Sequence, residues 1–403
     1  MANLNAGDTA WVLTSTALVL MMTPALAFFY GGMVRRKNIL STLNLSFIMM
    51  GLMGVQWVLY GYSLSFGRDL GSVIGDLSFL GFRGVGGAPV NNEATIPHLA
   101  FAAFQATFAV ITPALITGAF VERVKFGAFL VFSLLWATLV YDPLCHWVWG
   151  GGWLGAMGAL DFAGGTVVHV AAGFSALAFA MVIGPRKGFP KAPMEPHNIP
   201  YTVLGAGLLW VGWFGFNAGS ALGANAQAAW ALVNTNTAAA AAAVAWMLLA
   251  WREGHPSVLG IATGAVVGLV AVTPAAGYVT PLGAMAIGAL AAPVSYYAMA
   301  FRQARGLDES LDVWACHGMA GTWGAVATGI FAAREVGGAS GLLEGDLARF
   351  GVQVLSVAVT IAFVFVLTWL IALTLDALVG LRVTTAAEEV GLDLSEHGER
   401  AYA

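Results

Sequence analysis

The sequence predicts an all-α membrane protein. It should have eleven transmembrane helices, arranged as an inverted five-plus-five helix repeat plus a final helix, with the N-terminus outside and the C-terminus cytoplasmic. Three observations lead there. Of 403 residues, 59% are hydrophobic and 9% charged, against about 25% charged in a typical soluble domain. The charges stand far enough apart to admit spans of roughly 20 apolar residues. Most of the 17 Lys and Arg fall on one side once the spans are threaded.

The gaps between charges place the spans in order. Asp8 to Arg35, Lys37 to Arg68, Glu93 to Glu122, Lys125 to Asp142, Asp161 to Arg186, Asp312 to Arg334 and Arg349 to Asp376 each fit one span. Two longer gaps, Glu195 to Arg252 and Glu253 to Arg302, each hold two spans, broken at "NAGSALGAN" and "TPAAGYVTP". Cytoplasmic loops collect Lys and Arg. Eleven spans with the N-terminus outside leave only Arg68, Arg83, Arg334 and Arg349 on the external side. Making "PLCHWVWGGGWLGAMGAL" a twelfth span would flip everything after it and reverse that bias. Pro143 and Gly150 to Gly152 also break a helix there. The segment is therefore read as an external loop dipping back toward the membrane. The first span lacks the basic n-region of a signal peptide and is expected to be retained. Cys145, near an external surface, and Cys316, mid-span, give no disulfide framework. Lys and Arg are spread over loops, so there is no nucleic-acid signal.

The organisation is a transmembrane domain over 1–381 and a polar cytoplasmic tail over 382–403. Faint echoes suggest two halves of five spans, which an odd number inverts relative to each other. "ITPA" at 111 recurs as "VTPA" at 272, "FFYGG" at 28 resembles "FGFNAG" at 214, and the fifth and tenth spans each carry an Asp before a His. Such transporters place their pathway between the halves, near the midplane.

Two of the seven histidines fall inside spans. His169 lies eight residues after Asp161, about 12 Å along a helix at 1.5 Å per residue, and His317 lies five after Asp312. A packing role, with the ring bonded to a neighbouring carbonyl, is the ordinary alternative. Ionisable residues within a membrane are nonetheless functional by default, and a matched pair strengthens that reading. Asp161, opening its span before "FAGGT", suits a helix N-cap, a structural and electrostatic role.

"FQATF" at 104–108, "HWVWGGG" at 146–152, "ALDFAGGTVVH" at 159–169, "WFGFNAGSA" at 213–221, "VTPAAGY" at 272–278, "CHG" at 316–318 and "GLDLSEHGE" at 391–399 run in order along nearly the whole chain. Together they resemble the ammonium transporter (Amt/Rh/Mep) family, in its bacterial or archaeal Amt type. The resemblance implies a cell-membrane homotrimer of eleven-helix protomers, each with its own pore and no cofactor. It implies an external cation site at Phe108, Trp149 and Ser220, a phenyl gate of Phe108 and Phe216, and a pore lined by His169, His317 and Trp213. It also implies a tail that packs under the trimer and presents it to a PII-type signalling protein. Within that tail Gly391 supplies a turn, and Asp393 is expected to pair with the loop holding Arg186 and Lys187.

The chemistry of the residues agrees with such a pathway. Aromatic faces hold a cation at roughly 0.5 to 2 kcal/mol per contact, although most of the 14 tryptophans belong to the interfacial belt. Carrying the ion into apolar surroundings costs of order 20 kcal/mol by the idealised Born estimate and several after relaxation. Removing a proton from an amine whose pKa lies about three units above ambient costs roughly 4 kcal/mol. The reading is a transporter, not an enzyme, that deprotonates NH4+ and conducts NH3 past neutral imidazoles, with separate proton transfer. Two alternatives are an ammonium sensor with weak conduction and a membrane cytochrome with two histidines as axial haem ligands. A retinal-type pump is excluded, since no lysine lies mid-span.

Overall fold

The computed structural model describes residues 4–91 and 93–402. In chain order the long helical segments are α1 Ala6–Met33, α2 Arg36–Phe66, α3 His98–Ala119, α4 Phe126–Ala156, α5 Gly165–Ile183, α6 Ile199–Gly219, α7 Ala226–Glu253, α8 Val258–Val272, α9 Pro281–Ala304, α10 at 314–331 and α11 Leu347–Val379. Among the described residues nine of these are long and apolar enough to cross a membrane; α8 and α10 are shorter. The tail adds two short helices, α12 Thr385–Val390 and α13 Leu392–His397. A two-stranded hairpin, β1 Asp69–Leu70 with β2 Ile74–Gly75, follows α2.

Burial ranks the helices by position. In α5, which carries His169, 78% of the apolar window is buried, against 33% for α7 and for α11. The first is the centre of the bundle and the others turn broad faces outward, as lipid-facing helices do.

The segment after Asp142 departs from the sequence reading. Helix α4 does not end there. It widens into a π-turn at Ala137–Tyr141 and continues as Asp142–Val148, so the loop begins only at 149. A π-turn just before Pro143 relaxes the ladder where a proline lacks its N–H and crowds the preceding turn. The carboxyl of Asp142 faces protein, not water. Gln56 donates to it at 2.8 Å and Ser65 at 3.4 Å, both from α2. A charge satisfied by a neighbouring helix carries no information about the membrane boundary. Cys145 is fully buried and Cys316 is buried, and both are free thiols.

Small residues set the helix crossings, as they must where lipid gives no hydrophobic drive for association. Along α6, Gly205, Gly212, Gly215 and Gly219 face α1. A Cβ at Gly205 would stand 2.4 Å from the Phe29 amide nitrogen and 2.7 Å from the Ala25 carbonyl. Helices α5 and α10 cross still more closely, since a Cβ at Gly173 would meet the Gly318 nitrogen at 2.1 Å.

Gly205→Ala should therefore destabilise the protein by about 1–3 kcal/mol through forced separation of α1 and α6. Gly207→Ala, on the open side of the same helix with nothing within 4 Å, should be neutral or gain up to about 1 kcal/mol of helix propensity. Thermal unfolding in detergent distinguishes them, and equal loss in both would remove the crossing as the cause.

Candidate functional site

A line of rings descends into the centre of the bundle. Trp149, at the turn ending the main part of α4, donates its indole N–H to the Asp161 carbonyl at 2.9 Å. Its ring stands edge-on to Phe108 of α3, with centroids 5.9 Å apart. Phe108 in turn covers Phe216 of α6 at 4.4 Å. Phe216 and Trp213 both stack on the His169 ring, at 5.9 and 5.4 Å, and His169 stacks on His317 at 5.3 Å. Trp213 is fixed by its N–H to Thr273 at 2.9 Å. Ser220 sits one turn beyond Phe216 and donates its hydroxyl hydrogen to the Phe216 carbonyl at 2.8 Å. That leaves the hydroxyl's lone pairs as its free function.

The two imidazoles meet through their Nδ1 atoms, 3.3 Å apart. One must donate and the other accept, so their tautomers are opposed. The His169 Nε2 is buried with no partner. Around the pair, Met22, Leu26, Ile111, Leu115, Val168 and Val266 leave a cavity of about 10 Å³, room for no more than about one water-sized molecule. A second cavity of about 330 Å³ shares Phe29, Val266 and His317 with it and also reaches Cys316 and Asp312. Rings in direct contact in so small a space leave none for a porphyrin between them, and a pair of axial haem ligands does not fit.

Each histidine sits on a π-helical turn, Gly165–Val170 or Trp314–Met319, and each turn is capped by a buried acid. The Asp161 carboxylate accepts from the backbone of Gly164, Gly165, Thr166 and Val167 and from the Thr166 hydroxyl, at 2.5–3.3 Å. On the second turn that position belongs to Glu309, not to Asp312. Glu309 accepts from Val313 at 3.0 Å and Trp314 at 3.1 Å, whereas Asp312 is bound to Arg302 at 2.7 Å. The sequence reading matched Asp with Asp and missed the better signal, the spacing: both capping acids precede their histidine by eight residues. The glycines one turn beyond each histidine are matched as well. Gly173 lies against the His317 backbone, and Gly321 against the Cβ of His169.

At the end of the bundle where the tail docks, the charges form a buried network. Glu122 accepts from Arg35 at 3.0 Å, Arg186 at 2.9 Å and Asn38 at 2.9 Å. Arg186 also binds Asp308 at 2.7 Å. Asp393 does not pair with the Arg186 loop, as the sequence had suggested, because Asp308 and Glu122 already occupy that guanidinium. Asp393 instead accepts the Ser41 amide at 2.8 Å, near the start of α2. Lys187 is taken by Glu388, through its backbone N–H, and by the Glu389 side chain. Gly391 has φ 107°, and a Cβ there would meet Lys37 at 2.6 Å, so the turn admits only glycine without strain.

A family model described as the Ammonium Transporter Family matches residues 10–402. Ammonium transporter Amt1 of Archaeoglobus fulgidus is 51% identical over 396 residues, covering 98% of this chain and 99% of that protein. The ammonium transporter of Bacillus subtilis is 48% identical, covering 98% of each. The crystal structure of Candida albicans Mep2 superposes with a TM-score of 0.91 at 36% identity, over 99% of this chain and 91% of that one. A structure described as a sensor Amt protein gives 0.90 at 29% identity, over 97% and 98%.

The Arg186 network gives a stability prediction. Burial alone would raise the Glu122 pKa, but Arg186 and Arg35 more than offset it; for Asp308 Arg186 does the same, so both carboxyls titrate below their ordinary range. A depressed folded-state pKa adds stability above the unfolded value and loses it as pH falls through the folded one. Unfolding midpoints should therefore drop on acidification below about pH 4, and Glu122→Gln should blunt that drop. Arg186→Ala, which strands two buried carboxylates, should cost about 3–5 kcal/mol at neutral pH. A midpoint unchanged by Arg186→Ala would refute the network's role.

Proposed function

The chain belongs to the ammonium transporter family, a family of transporters rather than enzymes, and from that premise we propose how this multi-pass protein of the cell membrane moves its substrate. NH4+ is held in the outer vestibule against Trp149 and Phe108 and by the lone pairs of Ser220. A hydroxyl that has spent its hydrogen on Phe216 favours a guest that only donates, and NH4+ is such a guest. The Phe108 and Phe216 rings, 4.4 Å apart, close the way to a hydrated ion. Shedding its proton outside costs the substrate less than carrying the charge inward, so NH3 is the species that passes between the rings as they part.

The observation that carries this reading is the His169–His317 contact with its free Nε2. In an apolar channel it offers NH3 one polar atom at a time. It also forms a pair able to pass a proton along the shared Nδ1 contact, separately from the neutral molecule. Trp213 holds the His169 ring flat against that path, and Asp161 and Glu309 fix the two turns from which the histidines project.

The same reading makes α1 to α11 the eleven spans, with the N-terminus outside, the C-terminus in the cytoplasm and α1–α5 inverted relative to α6–α10. The matched π-turns, capping acids and glycines of α5 and α10 support it. Three copies assemble as a trimer with one pore each. The tail 382–403, docked by Gly391 and Asp393, faces a PII-type signalling protein.

Current recording on solid-supported membranes after an ammonium pulse tests the pore. His169→Ala or His317→Ala should abolish transport or change its ion selectivity while the protein stays folded. Unchanged rate, selectivity and charge coupling in either variant would sink the twin-histidine pathway. A truncation at Val383 should reduce transport and weaken binding of a PII partner, and normal values for both would leave the tail without that role.

A further inference from the structure

The geometry points to His146 as a positioning residue for the outer cation site: an imidazolium that ties the first external hairpin to the turn carrying Trp149. The inference rests on the outer-site reading above and adds to it the element that holds Trp149 in place.

His146 lies in the last turn of the helical run before Trp149 and is fully buried. Its Nδ1 stands 3.0 Å from the Ser65 carbonyl oxygen, and its Nε2 2.9 Å from Oδ1 of Asp69. A carbonyl oxygen only accepts, and so does an ionised carboxylate. Asp69 is ionised: its side chain is 41% exposed, and its other oxygen accepts the Ser72 N–H at 3.0 Å. Both ring nitrogens must therefore donate, which only the imidazolium can do. The other ionisable groups nearby are Asp142, one turn earlier with its carboxyl on Gln56 and Ser65, and Cys145 beside it. Arg68 and Asp76 lie elsewhere on the hairpin, where Asp76 accepts backbone N–H groups of Arg68 and Ser78.

The rest of the hairpin docks on the same turn through neutral contacts. Trp147 donates to the Val73 carbonyl at 2.8 Å, and the Trp153 amide to the Ser72 carbonyl at 3.2 Å. A Cβ at Gly150, directly after Trp149, would lie 2.0 Å from the Ser65 carbonyl and 2.6 Å from the His146 ring. The backbone just past Trp149 is thus seated on the atoms that His146 binds. Among these contacts the His146–Asp69 pair is the ionic one, and charge-assisted hydrogen bonds are about twice as strong as neutral ones. Loss of one imidazole proton frees either the Asp69 or the Ser65 acceptor and lets the Trp149 turn shift against Phe108.

The test is the apparent KM for ammonium, measured at fixed NH4+ across mildly acid to mildly alkaline external pH, in wild type, His146→Gln, Asp69→Asn, Asp69→Glu and Trp149→Leu. In wild type KM should rise toward the alkaline end. His146→Gln and Asp69→Asn should raise it by up to about tenfold, the factor a lost charge-assisted hydrogen bond can supply, with maximal rate retained and the pH dependence flattened. Asp69→Glu, which keeps the carboxylate, should restore the wild-type profile. If Trp149→Leu raises KM while the wild-type profile is flat, or while His146→Gln behaves as wild type, the positioning role is overturned and the outer site stands. If Trp149→Leu leaves KM unmoved, the outer-site reading itself fails and this inference falls with it. Should His146→Gln or Asp69→Asn not fold, the wild-type profile and the Asp69→Glu comparison still decide.

Discussion

The contact between the two buried imidazoles depends on two acids that bond to neither ring. In the hydrocarbon core no water is available for a free N–H, and each unsatisfied group costs several kcal/mol. A helix that begins inside the protein presents its first amides to nothing. Asp161 takes four of them at the start of α5, and Glu309 takes two at the start of α10. With those donors satisfied, each helix can start with a wide π-turn, and each histidine projects from that turn toward the other. An acid here is a structural requirement of a buried helix start, and the imidazole pair is what that start holds.

Close approach is the second requirement. The rings reach 3.3 Å between Nδ1 atoms because α5 and α10 touch backbone to backbone at Gly173 and Gly318. A methyl group at Gly173 would stand 2.1 Å from the Gly318 nitrogen, and the separation needed to relieve that clash would stretch the imidazole contact beyond hydrogen-bonding range. Bulk is placed elsewhere on the same level: Phe108, Phe216 and Trp213 close the outer side of the pair and aliphatic side chains its flanks. The space around the pair is polar at the imidazole nitrogens and apolar around them.

Much of this was legible in the sequence, and the rest was hidden for identifiable reasons. Charge spacing placed the helix ends well where exposed charge follows or precedes a span, as at Arg36, Lys187 and Arg252. It failed at Asp142, whose partners Gln56 and Ser65 lie nearly eighty residues or more away along the chain, so that a buried acid read as a boundary. The histidines stood out because nothing else mid-span was ionisable. Glu309 did not, because Asp312 lies closer to His317 and matches Asp161 in type; which acid faces the helix start is decided by Arg302, which draws Asp312 aside. The Asp393 partner failed for a similar reason. Charge complementarity suggested Arg186, but Glu122 and Asp308 already neutralise that guanidinium, and Asp393 faces the Ser41 amide instead.

That occupied guanidinium also joins the tail to the turn that carries His317. The Leu392 amide donates to the Asn38 side-chain oxygen at 2.8 Å, and the Asn38 amide group donates to Glu122 at 2.9 Å. Glu122 shares Arg186 with Asp308, and Asp308 adjoins Glu309, the acid that holds the turn of His317. Arg123, buried on the same loop, donates to the Asp308 carbonyl at 2.6 Å and to the Ser310 hydroxyl at 2.6 Å. Glu309 is thereby flanked on both sides by residues fixed to one guanidinium or the other. Every link is a charged or side-chain hydrogen bond in a buried setting, where a lost partner is costly and small displacements are poorly absorbed. His317 is thus braced from the end of the bundle where the tail docks, and His169 from the turn that carries Trp149, since the Trp149 indole binds the Asp161 carbonyl. The two histidines are held by separate hydrogen-bond networks, which come together where the imidazoles touch.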